Sequence, residues 1–402
     1  MSFEDTSVPV VVMNSYHHGS LGIARSLGRL GVKLYGIDPN PWAPGLHSRY
    51  FRRKFILDAD STSPEATVQY LLEVAKKIGS HSILMPTYDE LAVLVADHAD
   101  VLSEWYIYPH LPSQLVRALT SKREMYFLAK KNDIPTAETY FPQSREDVKK
   151  YLEHVAFPIM LKGIHGSALQ LRTDRKMFIT KTKGELLDLY DRYENPSNPN
   201  FMLQEYIPGG DDSIWMFNGY FNERSECLFA ITGKKIRQAP PHTGLTSLGI
   251  CVRNETIDEI TKRFMKSIHY KGILDIGYRY DRRDGKYKVL DINPRIGCTF
   301  RLFVGDNGLD VARVQYLDLT GQYVPQSESI EGRKWLVEDS DLVSSIRYYH
   351  ERNLSFRQWI QSFRGVQETG WFAYDDLLPF FFMCARFPRR IISYIIASAH
   401  ST

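Results

Sequence analysis

Apolar and polar positions along this chain follow two alternating periods. VPVVVMN (8–14) is a short β-branched run of the kind that forms a buried parallel strand. The loop SYHHGSLG follows, Leu21–Leu30 reads as a small amphipathic helix, and VKLYGID (32–38) is a second strand. That order predicts a right-handed α/β crossover. A further unit repeats the theme: residues 63–78 are helical, HSILMP is a strand, and TYDELAVLVADHAD opens a helix that Thr87 or Asp89 can cap. Two prolines in IYPHLPS mark a boundary, so a first α/β domain is expected over residues 1–115.

The pattern then changes. SKREMYFLAKKNDIPTAETYF reads as a helix stopped at Asn-Asp-Ile-Pro, and FPIMLKG (157–163) is a strand carrying one lysine. NFMLQEYIPGGDDSIWMF is a strand, a Pro-Gly-Gly turn and another strand, and further strands follow over 214–231. Residues 256–267 are helical, and GILDIGYRYDRRDGKYKVLDINPR is a hairpin turned at Arg-Asp-Gly-Lys. Many strands with few helices predict an α+β domain over 116–322, followed by a mainly helical, aromatic-rich extension over 323–402. No internal repeat or low-complexity linker interrupts this plan.

Composition narrows the function classes. A chain of 402 residues has material for two or three domains, and 43% hydrophobic with 24% charged residues is ordinary for a globular protein. A net charge of +3 gives no concentrated basic face for nucleic acid. Four scattered cysteines without a CxxC argue against a disulfide framework or zinc site and fit a reducing cytosol. The N-terminus lacks the basic and long apolar regions of a signal peptide, and no run of about 20 apolar residues predicts a span. A cytoplasmic location is therefore expected. The segment LLPFFFMCARFPRRIISYIIASA has two readings. One is packing on the core or on a second subunit in a homodimer; the other is peripheral contact with a membrane surface. Pro379 and Pro388 interrupt any single long helix, and packing is favoured.

Candidate chemistry concentrates at strand ends. Lys162 closes an apolar strand, where an ammonium either meets phosphate or snorkels to water. Glu205 and Asp212 flank a Pro-Gly-Gly loop and can bind a nucleoside or simply face solvent. In KVLDINPRIG, side chains alternate, so Asp291 and Asn293 share one face. Asp275 and Gly277 alternate on the partner strand, about 5 Å away. Oxygen donors so placed suit a hard cation such as magnesium. Gly19 and Gly22 do not complete a GxGxxG, and Tyr16–Ser20 form either a ligand loop or a plain turn.

Four segments in one order resemble the ATP-grasp superfamily: Ser121–Lys122, Phe157–Gly163, LQEYIPGGDD at Leu203–Asp212, and LDINPR at Leu290–Arg295. More narrowly they are similar to its carboxylate–amine ligase and biotin-carboxylase-like branch, over about residues 8–322. The resemblance implies a Rossmann-like domain ahead of two α+β subdomains that clamp ATP. It implies Lys122 and Lys162 on the phosphates, Gln204 and Glu205 at the adenine side, Tyr206 and Ile207 at the hinge, and Asp212 on ribose. Asp291 and Asn293 would hold Mg2+, Lys235 and Arg237 would lie near the transferred phosphate, and Arg295 and Arg301 would face the reacting carboxylate. Two positions depart from the pattern. Asp291 stands where glutamate is usual, and Gly277 stands where a metal-binding acid is common, a role Asp275 can take. The implied reaction joins a small carboxylic acid to an amine (an amino acid or conjugate) through an acyl phosphate. Alternatives are carboxylation, thiol ligation, or a nucleotide-binding regulator without turnover. A lid carrying Lys162 and Ile164–Ser167 is expected to close, with His165-Gly166-Ser167 offering backbone amides to phosphate. The acceptor is expected between the N-terminal domain and the hairpin, near Tyr16, His17, His18, Arg49, Asp89 and Glu90, each of which can equally be structural.

Overall fold

The computed structural model describes residues 2–387 apart from 60, 165–168, 170, 171, 174 and 176. The first domain is a parallel five-stranded sheet. Its strands are β1 (Val10–Met13), β2 (Leu34–Asp38), β3 (Phe51–Ile56), β4 (Ser82–Pro86) and β5 (Tyr106–Ile107), in spatial order β3-β2-β1-β4-β5. The β-branched run of β1 is buried on both faces. Val10 and Val12 pack with Leu21, Ile23 and Leu27 of the helix His18–Gly28, and Val11 and Met13 pack with Leu71 and Val74 of the helix Pro64–Ile78. Apolar residues without alternation are what a doubly covered parallel strand requires.

The next sheet has four antiparallel strands, β6 (Thr139–Tyr140), β7 (Ile159–Gly163), β8 (Met177–Thr180) and β9 (Phe201–Glu205), in the order β6-β9-β7-β8. The largest sheet has seven: β10 (Ile214–Phe221), β11 (Cys227–Ala239), β12 (Leu245–Cys251), β13 (Gly272–Asp281), β14 (Lys286–Asn293), β15 (Lys334–Leu336) and β16 (Val366–Thr369). Their order is β14-β13-β10-β11-β12-β15-β16. The hairpin β13–β14 turns through Gly285 at φ +69°, a left-handed conformation that glycine adopts without Cβ strain. Its register sets Asp275 opposite Asn293 and Gly277 opposite Asp291.

The extension beyond residue 323 is mainly helical, with helices Glu338–His350 and Phe356–Ser362. The short strands β15 and β16, which the periodicity did not anticipate, join it to the seven-stranded sheet, and Trp335 of β15 is in the main core. Residues 370–376 then cross to the first domain. Arg25 forms a buried ion pair with Asp376 and donates to the Trp371 and Asp376 carbonyls, while Arg29 holds Asp375 at 2.8 Å. Ser48 Oγ and the Arg49 amide also donate to Asp376. Backbone 378–387 is helical, with Met383 and Phe380 turned into the core and Leu378 and Phe381 exposed. Packing therefore accounts for this part of the C-terminal segment; residues 388–402 lie outside the described residues. No helix of the described residues is long and apolar enough to cross a membrane.

Candidate active site

Two sheets present charged side chains toward one cleft. On β7, Ile159 and Leu161 turn into the local core, and the alternate residue Lys162 turns away from it. Its Nζ donates to Gln204 Oε1 at 2.8 Å, and Gln204 is steadied by donating to Thr139 Oγ1 at 2.9 Å. Burial, then the charge of Lys122, push the Lys162 ammonium down to about 7, with Asp291 opposing and Arg279 reinforcing the shift. Lys122 Nζ reaches the Gly163 carbonyl at 3.2 Å. The charges of Lys122 and Arg279 both bear on Lys162, so three cationic side chains gather on this side of the site.

The hairpin supplies the opposite wall. Asn293 Nδ2 donates to the Asp275 carbonyl at 3.1 Å and to Asp291 Oδ2 at 3.3 Å. Burial pushes Asp275 up to about 6, with Arg295 opposing and Asp291 adding to the shift. Burial thus holds Asp275 partly toward its neutral form, even with Arg295 and Lys235 nearby. Gly277 has a steric role: a Cβ there would lie 2.5 Å from Asp291 Oδ1. A Cβ at Gly297 would overlap the Asp275 carboxylate. The two glycines make room for the two acids. Among the described residues no group of three or more His, Cys, Asp or Glu forms a ready metal cage. Asp275, Asp291 and Asn293 instead make a partial donor set of the kind magnesium completes with phosphates and water.

No family model matches the chain. A D-aspartate ligase of Enterococcus faecium is 27% identical over 323 residues, covering 76% of this chain and 75% of the relative. An L-amino acid ligase from Bacillus licheniformis superposes with a TM-score of 0.62 at 14% identity, over 82% of this chain and 79% of that one. The N5-carboxyaminoimidazole synthetase of Staphylococcus aureus, solved with ADP, gives a TM-score of 0.66 at 13% identity over 88% of each chain. The chain has the ATP-grasp fold.

Within this ATP-grasp frame, Glu205 ends β9 and accepts from Lys288 Nζ, from Arg283 Nη2 and from the Glu138 amide at 2.8, 2.8 and 3.0 Å. Burial alone would raise its pKa, but these donors hold it below the ordinary value. Lys288 and Arg283 also hold the buried Asp281. Ile207 is buried and begins the loop after β9, in which Gly209 takes φ +141°. Of the two loop acids, Asp211 is committed: it accepts from Gln238 Nε2 at 2.9 Å and from the Tyr348 hydroxyl. The side chain of Asp212 is 71% exposed, with Arg282 at 3.8 Å. Lys235 Nζ donates to the Gly244 carbonyl at 2.9 Å, and its charge reaches Asp275. Arg295 donates to Asp89 at 2.8 Å and to Asn293 Oδ1 at 3.0 Å, linking the hairpin to the first domain.

Several candidates have other occupations. Arg237 is 3% exposed; its Nε and Nη2 donate to the buried Asp341 at 2.8 and 2.9 Å, and its Nη1 donates to Ser362 Oγ. It is a core ion pair and does not face the cleft as expected. Arg301 is likewise buried, paired with Asp310 and Glu368, so the expectation that it faces the reacting carboxylate is corrected too. His17 caps the helix His18–Gly28: its Nδ1 accepts from the Gly19 and Ser20 amides, and its Nε2 lies 3.2 Å from Thr87 Oγ1. That network puts the ring proton on Nε2. Burial, then the charges of His18 and Arg295, push His17 down to about 3, so it is a neutral cap. His18 packs against Trp335 and Trp371. Arg49 donates to the Asp375 carbonyl beside the C-terminal clasp, and Glu90 is exposed in the first turn of its helix. Tyr16 is partly exposed beneath Arg386. His165, Gly166 and Ser167 of the expected lid lie outside the described residues. Arg279 and Lys288 were missed by sequence reasoning. Each sits in a strand where its alternation with apolar neighbours was the available signal.

Proposed function

We propose that the chain is an ATP- and Mg2+-dependent carboxylate–amine ligase. The observation that carries this reading is the cleft itself. Lys122 and Lys162 crowd one wall, and Asp275, Asp291 and Asn293 line the other. A nucleotide triphosphate would relieve the repulsion between the lysines, and a divalent cation that between the carboxylates. Asp275, Asp291 and Asn293 would hold Mg2+, which when bound supplies charge neutralisation at phosphate oxygens. Lys122 and Lys162 orient the phosphates as point charges. The acid's carboxylate oxygen attacks the γ-phosphorus and ADP departs; the amine nitrogen then attacks the acyl carbon and phosphate departs. Arg295, fixed by Asp89 and Asn293, supplies positive charge beside the acyl group. The likeness to two amino-acid ligases supports an amino acid or its conjugate as one substrate. Gly277 supports turnover over a purely regulatory role, because its missing side chain accommodates Asp291.

The test is ADP and phosphate release with MgATP over a pool of amino acids and small carboxylic acids. Release that depends on one acid–amine pair is expected; ATP binding with no pair-dependent release overturns the reading.

Two further outcomes follow from the cleft. Burial and the charge of Lys122 bring Lys162 down to about 7, and a bound triphosphate favours its charged form. ATP affinity is therefore expected to be level below pH 7 and to fall by up to about tenfold per pH unit above it. Calorimetry at pH 8 in two buffers of different ionisation enthalpy should show uptake of close to one proton per MgATP; zero uptake would remove Lys162 from the phosphates. Gly277→Ala should raise the Mg2+ concentration needed for half-maximal turnover by about 10–100-fold, as displacing a ligand's support generally does. An unchanged Mg2+ titration would mean Asp291 does not depend on that space.

A further inference from the structure

The first domain carries a second set of polar groups that the nucleotide cleft does not use. In the order β3-β2-β1-β4-β5, the chain reverses its direction of travel between β1 and β4. The carboxyl ends of strands at such a switch point open a crevice where α/β sheets bind ligands. Asp38 ends β2 beside this crevice and is fully buried. Its Oδ1 accepts from the Asn40 amide at 2.9 Å, while its Oδ2 is buried with no hydrogen-bond partner. Arg386 arrives from the helical backbone of the C-terminal extension. Its guanidinium carbon lies 5.0 Å from the centre of the Tyr16 ring, and its Nη1 is also buried without a partner.

The two charges sense one another, yet each keeps an unmet atom. Burying such atoms costs free energy unless a ligand or water meets them. Burial pushes Asp38 up to about 6, against the pull of the Asn40 and Ser15 amides and of Arg386. Tyr88, just after β4, feels the charges of both Asp38 and Arg295. The crevice therefore adjoins the hairpin mouth.

We propose that Asp38 and Arg386 form a subsite for a zwitterionic substrate of the α-amino acid class, with Asp38 taking its ammonium group and Arg386 its carboxylate. As a substrate site it rests on the ligase reading; as a binding site it does not. Two opposite charges, each with one unmet buried atom at a switch point, match a molecule that carries both complements. The C-terminal extension thereby becomes part of substrate recognition.

The test is calorimetric binding to the full chain without ATP. The probes are free L- and D-α-amino acids, each with its N-acetyl and C-amide derivative. At least one free amino acid should bind, and both of its derivatives should bind about tenfold or more weakly, since each loses a charge-assisted hydrogen bond. Asp38→Asn should weaken the free amino acid by a similar factor without further weakening the N-acetyl form. Arg386→Gln should weaken the free form and leave the C-amide form unchanged, with circular dichroism melts showing both variants folded. If no free amino acid binds, or both variants bind like wild type, ordered water alone meets the two atoms and the subsite falls. Binding that depends on both residues, without ADP release for any acid, would keep the subsite and overturn the ligase reading. Pair-dependent ADP release with KM unchanged in both variants would do the reverse.

Discussion

Asp291→Asn is expected to lower ATP-dependent turnover by about 10²–10³-fold, the range that follows loss of one preorganised electrostatic group, while leaving the chain folded. The substitution keeps the shape above Gly277 and keeps an oxygen for Asn293 Nδ2 to reach, so little packing is lost. What disappears is one of two anionic donors on this wall. The loss also reaches across the cleft, because Asp291 opposes the downward shift of Lys162 and adds to the upward shift of Asp275. Without it, Lys162 should hold its proton less well and Asp275 should ionise more readily. ADP release and thermal melting measured on the same preparation separate chemistry from stability. Wild-type turnover would sink the assignment of the hairpin as the catalytic wall.

Arg237→Met should act the other way, on stability first. Asp341 is almost fully buried and accepts from Arg237, Ser247 Oγ and Trp359 Nε1. Removing the guanidinium leaves its charge uncompensated, which costs about 3–5 kcal/mol for a buried pair. A loss of unfolding free energy of that size is expected from urea titration, and Asp341→Leu in the same chain should restore part of it, because no orphaned charge then remains. A variant that unfolds like wild type but turns over poorly would return Arg237 to the reaction.

The contrast between Asp291 and Arg237 shows what was legible in advance. Asp291 and Asn293 lie at one strand end, where strand alternation alone places them on a common face, and Arg295 follows two residues beyond. Lys162 was visible for the same reason, as one lysine in an apolar strand. Arg237 sat in an equally suggestive basic stretch, but its partner is 104 positions away. Arg301 pairs with Glu368 across 67 positions, on a strand of four residues that has no periodicity to detect. Glu205 draws its counter-charge from Lys288, 83 positions later. Local patterning reports which face a side chain takes; it is silent on which distant charge will meet it there. The loop acids show the same limit: Asp212 was singled out by its place after the Pro-Gly-Gly turn, whereas the pairing of its neighbour Asp211 with Gln238 and Tyr348 has no local pattern to announce it. His17 was an open choice between ligand and cap. The backbone amides of Gly19 and Ser20 decide it as a cap.

The clasp between Arg25 and Asp376 also bears on the chain's birth. The two residues are 351 positions apart. At synthesis rates of about 5–20 residues per second, the first helix leaves the ribosome roughly 18–70 s before its counter-ion exists. During that interval Arg25 lacks the partner that lets it be buried, so this edge of the first domain stays unfinished until residue 376 is made. Chains that stop before residue 376 should carry a first domain destabilised by an uncompensated Arg25, at a cost of about 3–5 kcal/mol that chemical denaturation of the truncated chain would read.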